Sequence, residues 1–356
     1  MGNCKFFSKI LLGWNESENK RKMPWKGETD PFRIWISEII LQQTRVQQGL
    51  EYYNRFIVAF PTVQSLANAD EKEVYKLWEG LGYYSRCKNL IISAKFIYEK
   101  LNGRFPRKYE DILALKGIGS YTASAISSFA FNEPYAVLDG NVFRVLSRFF
   151  GIEIPINTTE GKKYYGEIAQ SLLDKKYPGK YNQALMDFGA VVCKPAAPLC
   201  LQCPLQKKCT AFSENKVNAL PVNTKKISQK NRFFNYLLVH YKNKYYVRKR
   251  TGKDIWENLY EFILIESNEW LDESAITVNE QIRQILNLAD YRISYISSKK
   301  YQKLTHQIIT GKFIHVEIQK PLVIPGYFPV NGKQLKSLPF PKLIASYLAD
   351  KNVSLN

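Results

Sequence analysis

Glu38 is the residue whose surroundings most invite chemistry. It is the single carboxylate in the run Ile34-Trp35-Ile36-Ser37-Glu38-Ile39-Ile40-Leu41, where only Ser37 is otherwise polar. A carboxylate buried among such neighbours finds a partner or keeps its proton to a higher pH than usual. A carboxyl still protonated near neutrality is a general acid. A second carboxylate, Asp139, stands just before Gly140-Asn141 and an apolar helical pattern. It is expected to cap that helix and to stay ionised there, because the helix N-terminus favours negative charge. One neutral and one charged carboxyl would supply the divided roles needed to break a C–N glycosidic bond through an oxocarbenium-like state. Only the fold can bring the two together.

Four thiols form a second constellation. Cys193, Cys200, Cys203 and Cys209 follow a C-x6-C-x2-C-x5-C pattern, while Cys4 and Cys87 are isolated. The N-terminus has no basic segment followed by a long apolar core, so no export signal and a reducing compartment are expected. Clustered thiols there read as metal ligands, suited to zinc or to an iron–sulfur cluster. With only one short C-x2-C pair, the spacing favours a [4Fe–4S] cluster over zinc. Nearby Lys194, Lys207 and Lys208 could grip phosphate or simply face solvent.

The third constellation is Leu115-Lys116-Gly117-Ile118-Gly119-Ser120-Tyr121-Thr122. A short helix is expected over Tyr109–Leu115 and a second over Thr122–Phe131. Gly117 and Gly119 allow backbone angles and close approaches that side chains forbid. Amides opening the second helix, from Ser120 onward, would then meet an anion. This is a helix-hairpin-helix reading, with a DNA phosphate as the natural anion.

The elements that must carry these residues follow from periodicity. Phe6–Trp14 has helical spacing. Asp30 as N-cap and Pro31 at the first position start a helix expected to run through Arg45, carrying Glu38. Gln42 and Gln43, about one turn further on, offer amides suited to reading a base edge. Helices are also expected over Glu51–Phe60, from Ala69-Asp70 to Trp78, and over Cys87–Leu101. Between the last two lies Gly80-Leu81-Gly82-Tyr83-Tyr84-Ser85-Arg86. Its exposed Leu81 and its tyrosines could wedge into a base stack or close a helix end.

Composition narrows the partner. The chain has 356 residues, enough for two domains, and a formal net charge of +19 from 51 Lys and Arg against 32 Asp and Glu. Such an excess points to a polyanion, nucleic acid first. With 14 % aromatic residues it is not a disordered basic tail. Its apolar runs fall far short of a membrane span, so no membrane partner and a cytoplasmic, nucleoid-associated location are expected. Met1-Gly2-Asn3-Cys4 opens like a lipidation signal, but Phe6 stands where Ser or Thr is required.

Taken together, the pieces resemble the MutY-type adenine DNA glycosylases of the helix-hairpin-helix superfamily. They are Met23-Pro24-Trp25, Trp35 to Thr44, Gly80 to Arg86, Leu115 to Thr122, Leu138-Asp139-Gly140-Asn141-Val142, Asn182 to Ala190, and the four cysteines. The resemblance implies removal of adenine mispaired with 8-oxoguanine or guanine in double-stranded DNA, by a bacterial-type enzyme acting as a monomer. Glu38 would protonate the leaving adenine at N7. Asp139 would stabilise or trap the sugar cation, with Asn141 orienting it and Tyr121 near the same sugar. Gln43, Thr44, Leu81 and Tyr83 would hold the 8-oxoguanine strand, Tyr83 as the wedge. The cysteines would hold [4Fe–4S]. The endonuclease III relatives carry Lys where Tyr121 stands. An amine forms a Schiff base with the sugar and a phenol does not, so a monofunctional glycosylase is expected.

The remainder reads as a second module. Residues 1–213 form the all-α glycosylase domain with its cysteine loop at 193–209, residues 214–231 a polar linker, and 232–356 a smaller α/β domain. In the last, strands are expected over Phe234–Tyr241, Lys244–Arg250, Tyr291–Tyr301 and Lys312–Ile318, with helices over Asn279–Leu288 and Pro341–Leu348. Ile255 to Phe262 resembles the Trp-rich turn of Nudix (MutT)-like domains. Ala275 to Leu288 has only Glu280 as an acid, too few for a hydrolytic Mg²⁺ site. The resemblance therefore implies recognition through Leu304-Thr305-His306. There Thr305 keeps the hydroxyl of the family's Phe-Ser-His loop, and Leu304 departs from its aromatic residue.

Overall fold

The computed structural model describes residues 2–23, 25–224, 228–286 and 290–350. Pro24 of the Met-Pro-Trp motif, Lys225 and Lys226 of the expected linker, and Leu288 at the end of an expected helix lie outside them, as does Met1. The chain divides into two compact units. One joins Met1–Asn68 to Asn89–Lys225, and the other joins Ala69–Lys88 to Lys226–Asn356.

The first unit is helical. Its elements are α1 (Gly2–Ser17), α2 (Pro31–Leu41), α3 (Val46–Ala59) and α4 (Val63–Ala67). Helices α5 (Glu71–Trp78) and the first residues of α6 (Tyr84–Lys100) belong to the second unit. The first unit resumes along α6 and continues with α7 (Tyr109–Leu113), α8 (Ser120–Phe131), α9 (Gly140–Phe150), α10 (Thr159–Leu172), α11 (Pro178–Val191) and α12 (Thr210–Ser213). A core of Phe7, Leu11, Trp14, Val145, Phe149, Tyr165, Tyr181 and Phe188 joins α1, α9, α10 and α11. None of the helices of the described residues is long and apolar enough to cross a membrane.

Helix α2 starts as the sequence dictates, with the Asp30 carboxylate accepting from Phe32 N at 2.8 Å and Pro31 in the first turn. It ends at Leu41, four residues short of the expected Arg45. Gln42 leaves helical angles, Gln43 takes φ +56°, and Arg45 precedes α3. The early stop lets α3 fold back closely on α2. A Cβ on Gly49 of α3 would stand 2.9 Å from Leu41 Cδ2. Tertiary packing here overrides helix propensity.

The second unit is a mixed sheet with helices. Its strands are β1 (Lys230–Tyr241), β2 (Lys244–Lys249), β3 (Tyr260–Ser267), β4 (Tyr291–Ile296), β5 (Lys300–Lys303), β6 (Gln307–Ile318) and β7 (Phe328–Asn331). Helices α13 (Glu273–Val278), α14 (Glu280–Leu286), α15 (Gly332–Ser337) and α16 (Lys342–Leu348) accompany them. The order is β4-β6-β1-β3-β2-β7, with β5 also on β6. β1 and β6 run parallel, Phe234 opposite Gly311 and Leu238 opposite His315, and the other pairs are antiparallel. Central β1 is buried continuously from Phe234 to Val239, as a strand covered on both faces must be. The single strand expected over Tyr291–Tyr301 is two, because the chain leaves the ladder after Ile296 and rejoins β6 at Lys300.

Candidate active site

Small residues on α8 let α2 lie close against it. Ala123, Ser124, Ala125, Ser127 and Ser128 are all buried. Glu38 therefore faces a crowded interior, 8 % exposed. Its carboxyl is pushed up to about 7, chiefly by burial. A hydrogen bond with Tyr121 pulls it down, and the negative charge of Asp139 pushes it further up. Tyr121, near the start of α8, also directs its hydroxyl at Met186 Sδ, 3.7 Å away.

Asp139 caps α9 as expected, accepting from Val142 N at 2.7 Å. Asn141 Nδ2 donates to its other oxygen at 2.7 Å. Burial nevertheless raises the Asp139 carboxyl above its ordinary range, against the pull of these hydrogen bonds and of the Arg144 charge. The simple expectation that the helix terminus alone holds it low omitted desolvation.

Sequence reasoning missed Arg144. Its guanidinium donates to Asn141 Oδ1 at 2.9 Å, to Gly189 O at 2.6 Å and to Cys193 O at 2.7 Å. It fixes the Asn141 amide, which in turn holds Asp139. The available signal was an arginine one turn beyond Asn141, set between the apolar residues Phe143 and Val145. Gly189 must be glycine for the same reason, since a Cβ there would lie 2.6 Å from Asn141 Cβ.

One cavity of about 790 Å³ collects Glu38, Tyr121, Asp139 and Asn141 with Gln42, Gln43 and Thr44. That is the size and mixed character of a small-molecule site. Residues from the N-terminal segment, among them Arg21, Met23, Trp25 and Lys26, complete its wall. Their anchor, also unforeseen, is the fully buried Asp187 of α11. It accepts from Arg21 Nη1 at 2.8 Å, Lys26 Nζ at 3.0 Å, Asn19 Nδ2 at 2.9 Å and Gln183 Nε2 at 3.0 Å.

The two hairpin glycines differ. Gly117 has φ +82°, and a Cβ on it would strike Asn89 Cβ at 2.6 Å, so the fold itself demands glycine. Gly119 is extended, φ −102° and ψ 175°, with open space where a Cβ would go. Nothing among the described residues requires glycine there. Ser120 begins α8 directly after it.

The cysteines lie on the segment after α11. Cys193, Cys203 and Cys209 pack against the helical core, and each thiol feels the charge of Cys200. Burial raises all three, Cys203 to about 12. Buried Arg148 ties the segment down, reaching Lys194 O at 2.7 Å, Pro195 O at 3.1 Å and Cys193 Sγ at 3.6 Å. Among the described residues, no group of three or more His, Cys, Asp or Glu side chains stands ready to hold a metal ion.

Within the second unit, Leu81 is buried, 5 % exposed, contrary to the expected exposed tip. Gly80 and Gly82, both at positive φ, turn the loop back onto the end of α5, where Trp78 Nε1 donates to Gly82 O at 3.1 Å. Tyr83 is the exposed member, at 44 % and φ +49°. Its hydroxyl lies 3.2 Å from Thr305 Oγ1, so two separately identified motifs meet. His306 is exposed, and its carbonyl accepts from Lys230 N at 2.9 Å.

Comparison with known proteins places these features in a wider set. Residues 36–167 match the model of the HhH-GPD superfamily base excision DNA repair proteins. An adenine DNA glycosylase of Buchnera aphidicola subsp. Acyrthosiphon pisum is 36 % identical over 277 residues, 77 % of this chain and 79 % of that protein. Its counterpart in the Baizongia pistaciae subspecies is 33 % identical over 346 residues, 94 % of both chains. The human adenine DNA glycosylase is 42 % identical over 215 residues, 58 % of this chain and 39 % of that one. Among solved structures, a thermostable thymine-DNA glycosylase aligns with a TM-score of 0.55 and 30 % identity, covering 59 % of this chain and 97 % of its own. An endonuclease III–DNA complex aligns with a TM-score of 0.51 at 18 % identity, covering 60 % and 97 %, a likeness of fold alone.

Proposed function

The chain belongs to the MutY-type adenine DNA glycosylases of the helix-hairpin-helix superfamily, and we propose that it excises adenine paired with 8-oxoguanine or guanine in duplex DNA. One observation carries the reading. Two carboxyls of unlike environment open into one cavity, Glu38 poised at about 7 and Asp139 held by hydrogen bonds at a helix N-terminus.

In this reading, protonated Glu38 gives its proton to adenine N7. The electron pair of the C1′–N9 bond leaves with the base, and ionised Asp139 faces the resulting sugar cation or bonds to it briefly. Water then adds at C1′, breaking the Asp139–C1′ bond where one has formed, and its proton passes to the Glu38 carboxylate. Asn141, fixed by Arg144, keeps the Asp139 carboxylate oriented. Tyr121 lies beside Glu38 and offers no amine for a Schiff base, so strand cleavage is not part of the reaction. Gln42, Gln43 and Thr44 border the base cavity. Gly119 and Ser120 receive a backbone phosphate, and the open space at Gly119 is what close approach of that phosphate requires.

Residues 232–356 serve as the module that reads the opposite base, and residues 214–231 link it to the glycosylase domain. The pairing of Tyr83 with Thr305 supports this, with Tyr83 as the wedge and Thr305 and His306 as lesion contacts. The buried state of Leu81 leaves Tyr83 as the residue free to intercalate. In donor type the four cysteines suit a [4Fe–4S] cluster. Cys193, Cys200, Cys203 and Cys209 would each supply one thiolate, and the bound cluster would brace the loop beside α9.

Quantifying free adenine from duplexes bearing adenine opposite 8-oxoguanine, guanine or thymine tests the reading. Release should be fastest opposite 8-oxoguanine and slowest opposite thymine. No adenine from any duplex would overturn it.

A further inference from the structure

A second cleft, also about 790 Å³, shares Tyr121 with the base cavity. Its floor includes Ser120 and Leu138, immediate neighbours in sequence of Tyr121 and Asp139. At two separate points, then, adjacent residues open into the two cavities in turn. The far wall belongs to α10 and the turn after it, and carries Lys162, Lys163 and Lys175. All three are exposed, and none forms an ion pair with another described residue. Glu167 is the single acid in the lining, so the cleft keeps a net positive charge.

The location decides what such a charge is for. A nucleotide with its base over Glu38 and its sugar at Asp139 must send a phosphate away from the sugar on each side. The route past Leu138 and Ser120 leads into this cleft. Lysines spread over a solvated surface would not converge on one concavity beside the catalytic carboxylates, whereas a strand of phosphates needs such a lining.

We propose that the cleft between the start of α8 and α10 is the track for the DNA strand carrying the target adenine, with Lys162, Lys163 and Lys175 pairing with phosphates flanking it. The proposal rests on the glycosylase reading and adds to the hairpin's Ser120 a lysine-bearing wall on α10 and the turn after it.

The test replaces Lys162, Lys163 and Lys175 together by Gln in the full chain. A control chain replaces exposed Lys5, Lys9 and Lys100 by Gln, removing the same charge elsewhere. Affinity for a duplex with adenine opposite 8-oxoguanine is measured across a series of KCl concentrations. Each lost phosphate contact should lower the slope of log K against log salt by about 1. The cleft variant should therefore lose about 2 to 3 from its slope and bind tenfold or more weakly near physiological salt, by the same relation. Its melting temperature should match that of the control chain, which establishes that it is folded. Equal slopes in the cleft and control variants would overturn the proposal. If the parent releases no adenine, the glycosylase reading fails, and the slope comparison still decides whether the cleft holds DNA.

Discussion

Glu38→Gln separates the energetic cost of the site from its use. The buried carboxyl holds its proton up to about 7, against 4.5 for an ordinary glutamate. At about 1.36 kcal/mol for each pH unit, that gap corresponds to roughly 3 kcal/mol. Below pH 4.5 the folded and unfolded chains are both protonated at this position and nothing is lost. Between 4.5 and 7 the unfolded chain ionises while the folded one does not, so stability falls steadily. Above 7 the folded carboxylate is charged and the full cost is present. Glutamine mimics the protonated form at every pH. The variant should therefore melt several degrees above the parent at pH 8, and within about a degree of it at pH 4.5. It should release no adenine while still binding the mismatched duplex. Thermal scans of both proteins at the two pH values are sufficient. A variant no more stable than the parent at pH 8 would refute the claim that Glu38 is held in an environment hostile to its charge.

Three more outcomes follow from the same geometry. Single-turnover base release should decline above neutrality as Glu38 loses its proton, by roughly 30-fold between pH 6 and pH 8.5, and a flat profile would contradict the general-acid role. Gly119→Ala should fold normally yet bind DNA at least about tenfold more weakly, whereas Gly117→Ala, forced to φ +82° against Asn89, should lose about 1–3 kcal/mol of stability. Equal behaviour of the two glycine variants in melting and binding assays would remove the distinction. Asp187→Ala should free the segment carrying Arg21 and Lys26, cost about 1–3 kcal/mol, and open the chain around Arg21 and Lys26 to protease. Unchanged digestion would mean that other contacts hold the wall.

Local chemistry was readable from the sequence wherever a few adjacent residues decide the outcome. Asp30-Pro31 and Asp139-Gly140-Asn141 announce helix starts through side-chain oxygens that satisfy free amides. The alternation of strand and turn signals marked the mixed sheet. What escaped the sequence depends on partners far along the chain. The end of α2 is set by how α3 packs on it. Asp187 meets Arg21 and Lys26 across more than 160 residues. Leu81, flanked by two glycines, looks like a loop tip until the turn folds it back on α5. Residues 69–88 pack with residues 226–356 although they are embedded in the sequence of the helical unit, which composition gives no means of anticipating.

The central claim is that this cavity removes adenine by hydrolysis and leaves the strand intact. The most direct measurement is a single-turnover reaction on a labelled duplex with adenine opposite 8-oxoguanine, divided into samples with and without hot alkali. Strand breaks at the adenine position only after alkali are the predicted result, since Tyr121 supplies no amine. Breaks without alkali, or none under either treatment, would contradict the account.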